Sequence, residues 1–370
     1  MKVIPSAKSK IEELTNVFYW DIGIDLGSSN TLVYLKDRGI VIDEPTLLVR
    51  SRRKRYAGLS APRNGYQGPV AYGYKAKEML SREPKHLEVV APLKYGIVSD
   101  LEAVEQLIAY YLKLIYEIPS KYPKLFKPRV IVGVPSFITS VQKRAVKSIF
   151  KQSGARKVML LEESVLTAVG LGLPMDRSYG LLIVDIGGGK SEANLVSMGG
   201  IVVGKGIRVA GSDLDNDIIN YLKMKYGLLI GYNSAERIKI EVATLVEEKE
   251  KRTMVVRGRD LETGLPKSVR VQDNEIREAI SLNVGKIVKM VEEVLDETPP
   301  ELMEDILKRG ILLTGNGAKI RGLSRIIEER TKIVTRVVEE PGWCVIKGIG
   351  ELIEKPELLD LVKKVSAFEE

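Results

Sequence analysis

Short apolar runs alternate along this chain with longer stretches whose apolar residues recur every three or four positions. The runs within "WDIGIDLGSSNTLVYL", "KPRVIVGVPS", "KVMLLEE", "GLLIVDIGGGKSEANLV" and "GILLTGNGAK" read as strands. The stretches "DLEAVEQLIAYYLKLIYEI", "SVQKRAVKSIFKQSG", "DLDNDIINYLKMKYGLLIG" and "REAISLNVGKIVKMVEEVLDE" read as amphipathic helices, two of them stopped by glycine. "SAERIKIEVATLVEEKEK" reads as a further helix with Ser234 as its N-cap. Residues 253–272 alternate as strands do. Near the start, "KSKIEELTNVFY" places Ile11, Leu14, Val17 and Phe18 on one side of a short helix. Residues 51–68 are basic and rich in turn formers, so they read as an irregular excursion or a small subdomain. Strands and helices mixed in this order predict an α/β architecture.

A repeat lies inside that order. "GIDLGSSNTLVYL" and "VDIGGGKSEANLV" both run from an apolar strand through an aspartate and a glycine turn into a second apolar strand. Asp25 and Asp185 are 160 residues apart, which is the scale of a duplicated domain and not of a solenoid repeat. Two such halves are expected to face each other across a cleft.

Length and composition narrow the chemistry. A chain of 370 residues can bury a large core and divide into two or more domains. No run approaches the ~20 apolar residues of a spanning helix, and no secretory signal is read at the start. One cysteine, Cys344, and one histidine, His86, exclude an intrachain disulfide and leave no zinc or thiol–histidine site. The expected compartment is the cytoplasm. Any metal should be a hard cation held by carboxylates and phosphates. The net charge of +8 fits a solvated surface, anionic lipid or nucleic acid; no nucleic-acid-binding signature supports the last.

The glycine turns suit phosphates. Backbone N–H groups must approach a phosphate closely, and glycine allows that approach as well as a positive φ. Two turns facing each other can hold a triphosphate from both sides. Aspartates beside phosphates repel them unless a cation intervenes, so Asp25 and Asp185 are read as organising a hydrated Mg²⁺, directly or through water. "GKS" is not a P-loop, because that motif needs glycine where Val184 stands.

The motifs, taken in order, resemble the actin/Hsp70/sugar-kinase superfamily and, within it, the MreB family of bacterial actin homologues. The matching pieces include "GIDLGSSNTLVYLKDRGIVIDEPTLLV", "PLKYGIVSDLEAVEQLI", "FKPRVIVGVPSFITSVQKRAV", "EESVLTAVGLGLP", "VDIGGGKSEANLVSMGGIV", "SAERIKIE" and "GILLTGNGAKIRGL". They run from about residue 21 to 352. The resemblance implies an actin-like fold of two ribonuclease-H-like halves, each with a smaller inserted subdomain, and ATP with Mg²⁺ in the central cleft. The implied division is an N-terminal amphipathic helix at 1–19, subdomain IA at 20–38, 80–153 and 341–370, IB at 39–79, IIA at 154–212 and 283–340, and IIB at 213–282.

Site roles follow from the same resemblance. Asp25, Gly27, Ser28, Ser29 and Asn30 match the first phosphate loop; Asp185, Gly187, Gly188, Gly189 and Lys190 match the second. Glu163 matches the glutamate that positions the attacking water, with Asp185 and Ser191 as further catalytic candidates. Glu236 and Lys239 match residues that reach ribose and adenine; the alternative is an ordinary surface ion pair. Gly315, Asn316 and Gly317 match the adenosine-side loop.

The chain departs from the family in places. The family usually has Thr-Thr where Lys190-Ser191 stand, and a threonine hydroxyl there helps to hold the water near the γ-phosphate. Lys190 is expected either to clamp phosphate or to point away. Ser28-Ser29 replace Thr-Ala, Asn316 replaces a glycine, and Ser164 replaces a proline, which is expected to loosen the junction that aims Glu163. Nucleotide binding is expected to persist, with slow ATP hydrolysis that times filament disassembly.

In "YPKLFKPR", Leu125 and Phe126 lie between Lys124 and Lys127, a pattern able to insert into an anionic membrane; the family attaches through a hydrophobic loop here. The alternative is packing within their own subdomain. The resemblance further implies a homopolymer of head-to-tail protofilaments, paired, peripheral at the inner face of the cell membrane, with cell-wall elongation and membrane scaffold proteins as partners. Competing readings are a sugar-type kinase on the same fold, a hydrolysis-deficient ATP-binding scaffold, and, least of all, an Hsp70-like chaperone ATPase.

Overall fold

The computed structural model describes residues 20–52, 68–119 and 127–365. The expected N-terminal helix, Leu125 and Phe126, and most of the basic stretch 51–68 lie outside the described residues.

Two five-stranded sheets form the frame, and they have one topology. The first runs Lys157–Glu162, Arg129–Val134, Asp21–Leu26, Asn30–Leu35, Gly39–Pro45. The second runs Thr335–Val337, Ile311–Thr314, Leu181–Ile186, Ser191–Ser197, Gly200–Ile207. In each, an antiparallel meander of three strands is extended by two parallel strands alongside its first member. The duplicated motif therefore marks a duplicated sheet. The two aspartates lie at the carboxyl ends of matching central strands, where open α/β sheets bind ligands.

The central strands are continuous apolar runs because both faces are covered. Leu182, Val184 and Ile186 pack with Ile218, Ile280, Ile287 and Val291 of the second half. Leu181 and Ile183, on the opposite face, join Leu32 and Ile131 of the first sheet in a core shared by both halves. Ile22 and Ile24 pack against Leu107, Ile108 and Phe150 from the helices Leu101–Glu117 and Ser140–Gln152. Thr139 caps the latter helix, its hydroxyl accepting from the Gln142 amide at 3.2 Å while the Gln142 side chain returns the bond to the Thr139 amide at 2.9 Å.

A small sheet sits on each half: Ala71–Tyr72, Leu48–Ser51 and Leu87–Val90 on the first, Leu228–Leu229, Thr253–Asp260 and Pro266–Gln272 on the second. The expected boundaries at 212 and 282 fall inside the helices Gly211–Tyr226 and Asp273–Asp296, and others divide a sheet. Gly39–Pro45 belongs to the large first sheet, and the small sheet reaches Val90, beyond 79. Lys157–Glu162 pairs with Arg129–Val134, so the first sheet continues past 153. The helix Asp273–Asp296 crosses 282 without a break. Hydrogen bonding across strands overrides spacing along the sequence in each case.

The helix expected from Ser234 begins at Tyr232, because the Gly231 carbonyl already accepts the amides of Ser234 and Ala235. It ends at Glu241. Beyond it the chain turns, Ala243 and Leu245 enter the core, and Leu245 donates its amide to the Arg321 carbonyl at 2.8 Å beside a bridge between Thr244 and Arg321.

The shared core depends on two helices in close approach, Glu163–Gly170 and Cys344–Glu354. A Cβ at Gly348 would overlap the Leu166 carbonyl oxygen, and one at Gly170 would overlap the Cys344 carbonyl oxygen. Alanine normally favours a helix over glycine by ~1 kcal/mol. At Gly348 overpacking should reverse that sign, so Gly348→Ala is expected to destabilise the protein by roughly 1–3 kcal/mol. Gly285, in a helix with open space at its Cβ position, provides the contrast. Gly285→Ala is expected to stabilise by up to ~1 kcal/mol, and urea unfolding of both variants checks the pair.

Candidate functional site

The second glycine turn is built by its own backbone. The Gly187 amide donates to the Lys190 carbonyl at 3.0 Å. The amides of Gly211 and Ser212, at the start of the helix Gly211–Tyr226, donate to the carbonyls of Gly187 and Gly188 at 3.2 and 2.8 Å. The first turn is held by Thr46, whose amide donates to Ser29 O at 2.8 Å and whose hydroxyl donates to Gly27 O at 2.7 Å. Ser28 Oγ accepts the Gly96 amide at 2.7 Å. Asn30 donates to Asp43 at 2.8 Å, and Trp343 Nε1 reaches the other oxygen of that carboxylate at 3.2 Å.

The two turns touch. A Cβ at Gly188 would overlap Ser29 Oγ, and one at Gly189 would lie 2.9 Å from Ser28 Oγ and 3.1 Å from the Tyr95 amide nitrogen. None of Gly187, Gly188 and Gly189 adopts the left-handed conformation. The glycines are needed here for close approach, not for positive φ.

Acids gather where the turns meet. Thr314 donates to Asp185 at 3.1 Å. Lys190 Nζ lies 2.7 Å from Glu163 and 3.1 Å from Glu192. Desolvation raises Asp25 well above the usual carboxylate range; Glu163 and Asp185 add to the rise and Lys190 opposes it. Asp185 is raised by the same burial, with Lys190 again opposing and Glu163 adding. Burial pulls the Lys190 ammonium down, but Glu163, Glu192 and Asp185 outweigh it and hold the lysine protonated. Glu192 is pushed up to about 7, by burial first, against the pull of Lys190. Among the described residues no group of three acids, histidines or cysteines could hold a metal unaided. Asp25 and Asp185 are close enough to act on one another, and Mg²⁺ takes one or two carboxylates and completes its shell with water and phosphate oxygens.

The other sequence-derived residues divide. Gly315 follows the strand Ile311–Thr314 at φ +76°, and Gly315 and Gly317 both lie against Ile186, so the Gly315-Asn316-Gly317 loop reaches the second turn. Asn316 rests on Gly342. Lys239 donates to the Gly211 carbonyl at 2.9 Å and to Asp215 at 2.8 Å. Glu236 pairs with Lys77, on the small insert of the first half, at 2.8 Å. Glu236 and Lys239 thus have separate partners. Ser191 is not directed at the acids: it is fully buried, and its hydroxyl donates to the Val209 carbonyl at 2.7 Å. Lys190 points neither away nor into open space; it is held between two glutamates. Ser164 does not leave its junction loose, because its hydroxyl accepts from Asn194 Nδ2 at 2.7 Å in a buried setting.

Glu192 was missed by sequence reasoning. Its signal is an asymmetry between the repeats: the strand partner of Asp25 is Leu32, and that of Asp185 is Glu192. A charge in an otherwise apolar strand marks a site or a buried pair.

Comparison with known families finds a match over residues 19–360 to the family described as MreB/Mbl protein. The chain belongs to the MreB/Mbl family. It is 38% identical over 344 residues to the cell shape-determining protein MreB of Escherichia coli (strain K12), covering 93% of this chain and 96% of that one. It is 36% identical over 344 residues to the cell shape-determining protein Mbl of Bacillus subtilis (strain 168), covering 93% and 98%. Among solved structures, MreB5 of Spiroplasma citri bound to ADP is similar with a TM-score of 0.83 and 30% identity, over 94% of this chain and 99% of that one. The actin-like fold expected for the family is thereby established for this chain.

The raised acids make stability pH-dependent. A carboxylate whose folded pKa lies above its ordinary 4.5 stabilises the fold below that value and loses the effect as pH rises through about 7. Glu192 should therefore remove roughly 2–4 kcal/mol between those limits. Urea midpoints of the nucleotide-free protein should fall across this window, and Glu192→Gln should flatten the decline.

Proposed function

We propose that the chain is an actin-like cytoskeletal ATPase that polymerises with ATP and Mg²⁺ and takes part in determining cell shape. The observation that carries this reading is the meeting of two duplicated aspartate–glycine turns around an excess of carboxylates. Further support comes from the relatives named as cell shape-determining proteins and from Spiroplasma citri MreB5, whose structures hold ADP and AMPPNP.

Phosphates would lie along Gly27, Ser28, Ser29 and Asn30 on one side and Gly187, Gly188 and Gly189 on the other, with Asp25 and Asp185 holding the metal. Mg²⁺ would supply charge neutralisation for the phosphate chain. Glu163, at the start of the helix Glu163–Gly170, would orient a water. Gly315, Asn316 and Gly317 would lie beside the nucleoside, and Glu236 and Lys239 reach it once they exchange their present partners. Asp185 would serve as a metal ligand and is also a catalytic candidate. Slow hydrolysis fits this arrangement, since the hydroxyl of Ser191 is spent elsewhere.

Filaments would be head-to-tail, paired and peripheral at the inner face of the membrane, attached through Leu125 and Phe126. Among the described residues no helix is long and apolar enough to cross a membrane, so attachment would be at the surface. Membrane scaffold and cell-wall elongation proteins are the proposed partners.

Electron microscopy of the purified protein with ATP and Mg²⁺ should show paired filaments; a chain that stays monomeric with bound nucleotide would refute the polymer. EDTA should weaken AMPPNP binding by roughly tenfold or more, and the double variant Asp25→Asn, Asp185→Asn should lose that metal dependence. Replacing Leu125 and Phe126 with glutamate should release filaments from anionic liposomes, read by co-sedimentation.

A further inference from the structure

Lys190 occupies a place where phosphate is proposed to lie, and its surroundings define what it can do. Its stem leaves the second glycine turn and passes against Gly96 of the first half. A Cβ at Gly96 would lie 2.8 Å from Lys190 Cδ, so that glycine opens the crossing. The ammonium then meets two carboxylates of unlike character. Glu192 is held inside a strand, its side chain 3% exposed and 3.4 Å from both the amide and the hydroxyl of Ser136. Glu163 stands at the first position of its helix, against the cleft.

We infer that Lys190 is a positioning residue that reads the terminal phosphate of the nucleotide. With no γ-phosphate, it ties Glu163 in an ion pair. A γ-phosphate oxygen competes with Glu163 for the ammonium, while Glu192 keeps the lysine anchored. An ammonium has three protons, and the terminal phosphate of a triphosphate carries more negative charge than one carboxylate. ADP ends one phosphate short and leaves the Lys190–Glu163 pair closed. Glu163 is therefore released only when there is a terminal phosphate for its water to attack. This rests on the nucleotide-binding reading above.

The test is a double-mutant cycle read as affinities for Mg²⁺-AMPPNP and Mg²⁺-ADP, measured by calorimetry on the full chain. Glu163→Gln removes the competitor and should tighten AMPPNP by roughly fivefold, with ADP changed less than about twofold. Lys190→Thr should weaken AMPPNP by roughly tenfold, again sparing ADP. In the Lys190→Thr background, Glu163→Gln should have no further effect on AMPPNP beyond about twofold. Equal shifts for both nucleotides, or a Glu163→Gln effect that persists without Lys190, would overturn the inference. If Lys190→Thr fails to fold, the AMPPNP-to-ADP ratio of Glu163→Gln decides alone, because that variant keeps the Lys190–Glu192 pair. A wild-type chain that binds neither nucleotide sinks the proposed function and this inference together. A chain that binds both, with a ratio insensitive to these residues, sinks the inference only.

Discussion

Four carboxylates share one ammonium at the floor of the cleft. Glu163 and Glu192 pair with Lys190, Asp25 and Asp185 lie within its field, and burial works against the charged forms of Asp25, Asp185, Glu192 and Lys190. Four acids against one base leave three negative charges if every group ionises. Buried unpaired charge is expensive, so the carboxyls of Asp25, Asp185 and Glu192 are raised. A cation of higher charge relieves this strain more fully than a proton does. Under the proposed function, a metal with its phosphates would relieve the same imbalance that destabilises the cluster. Stability and ligand affinity would then be opposed at this spot, as they often are where a site is built into a fold.

The duplicated halves are alike in topology and unlike in detail where they meet. Both sheets have the same strand order, and both central strands end in aspartate. The turns that follow are complementary instead of identical. Ser28 and Ser29 project from the first turn into the space that Gly188 and Gly189 leave in the second. Two copies of the serine turn would collide there, and two copies of the glycine turn would leave a gap. Beneath them, Gly170 and Gly348 let two helices close to backbone contact within a core that both halves share. The relative placement of the turns is therefore set by packing below them as well as by any ligand between them.

Much of the fold was legible in the sequence because its signals are local. The apolar runs gave the central strands and the helical spacing gave the long helices, although Gly227 at φ +61° stops the helix Gly211–Tyr226 four residues before Gly231, the glycine that ends the stretch read as helix, and Leu228–Leu229 between them is a strand. What could not be read depends on pairing between distant segments. The strand Lys157–Glu162 joins the first sheet through Arg129–Val134, and no residue in it announces that choice. Residues 242–245 keep helical spacing, yet they leave the helix through a turn to an isolated bridge between Thr244 and Arg321, where the Arg321 carbonyl accepts the amide of Leu245. In the site, the aspartates and glycines were visible as a repeated motif. Glu192, Thr46 and Ser136 were not, since their roles arise only when strands lie side by side.

Two departures from the family pattern looked independent in the sequence and are joined in space. Lys190 contacts Glu192; Glu192 lies against Ser136; Asn194 donates to Ser136 at 3.0 Å and to Ser164 at 2.7 Å. Ser164 follows Glu163, which closes the circuit back to Lys190. A proline in place of Ser164 could not accept from Asn194, and a threonine in place of Lys190 could not reach both glutamates. Lys190 supplies a partner to Glu163 and Glu192 and Ser164 one to Asn194 Nδ2, while Asn194 Oδ1 stays buried without one; polar networks are worth most when nearly every member is satisfied. Replacing one position alone would leave buried polar groups open around Glu163. The cluster is better understood as one unit that sets where that carboxylate points than as a family site with scattered substitutions.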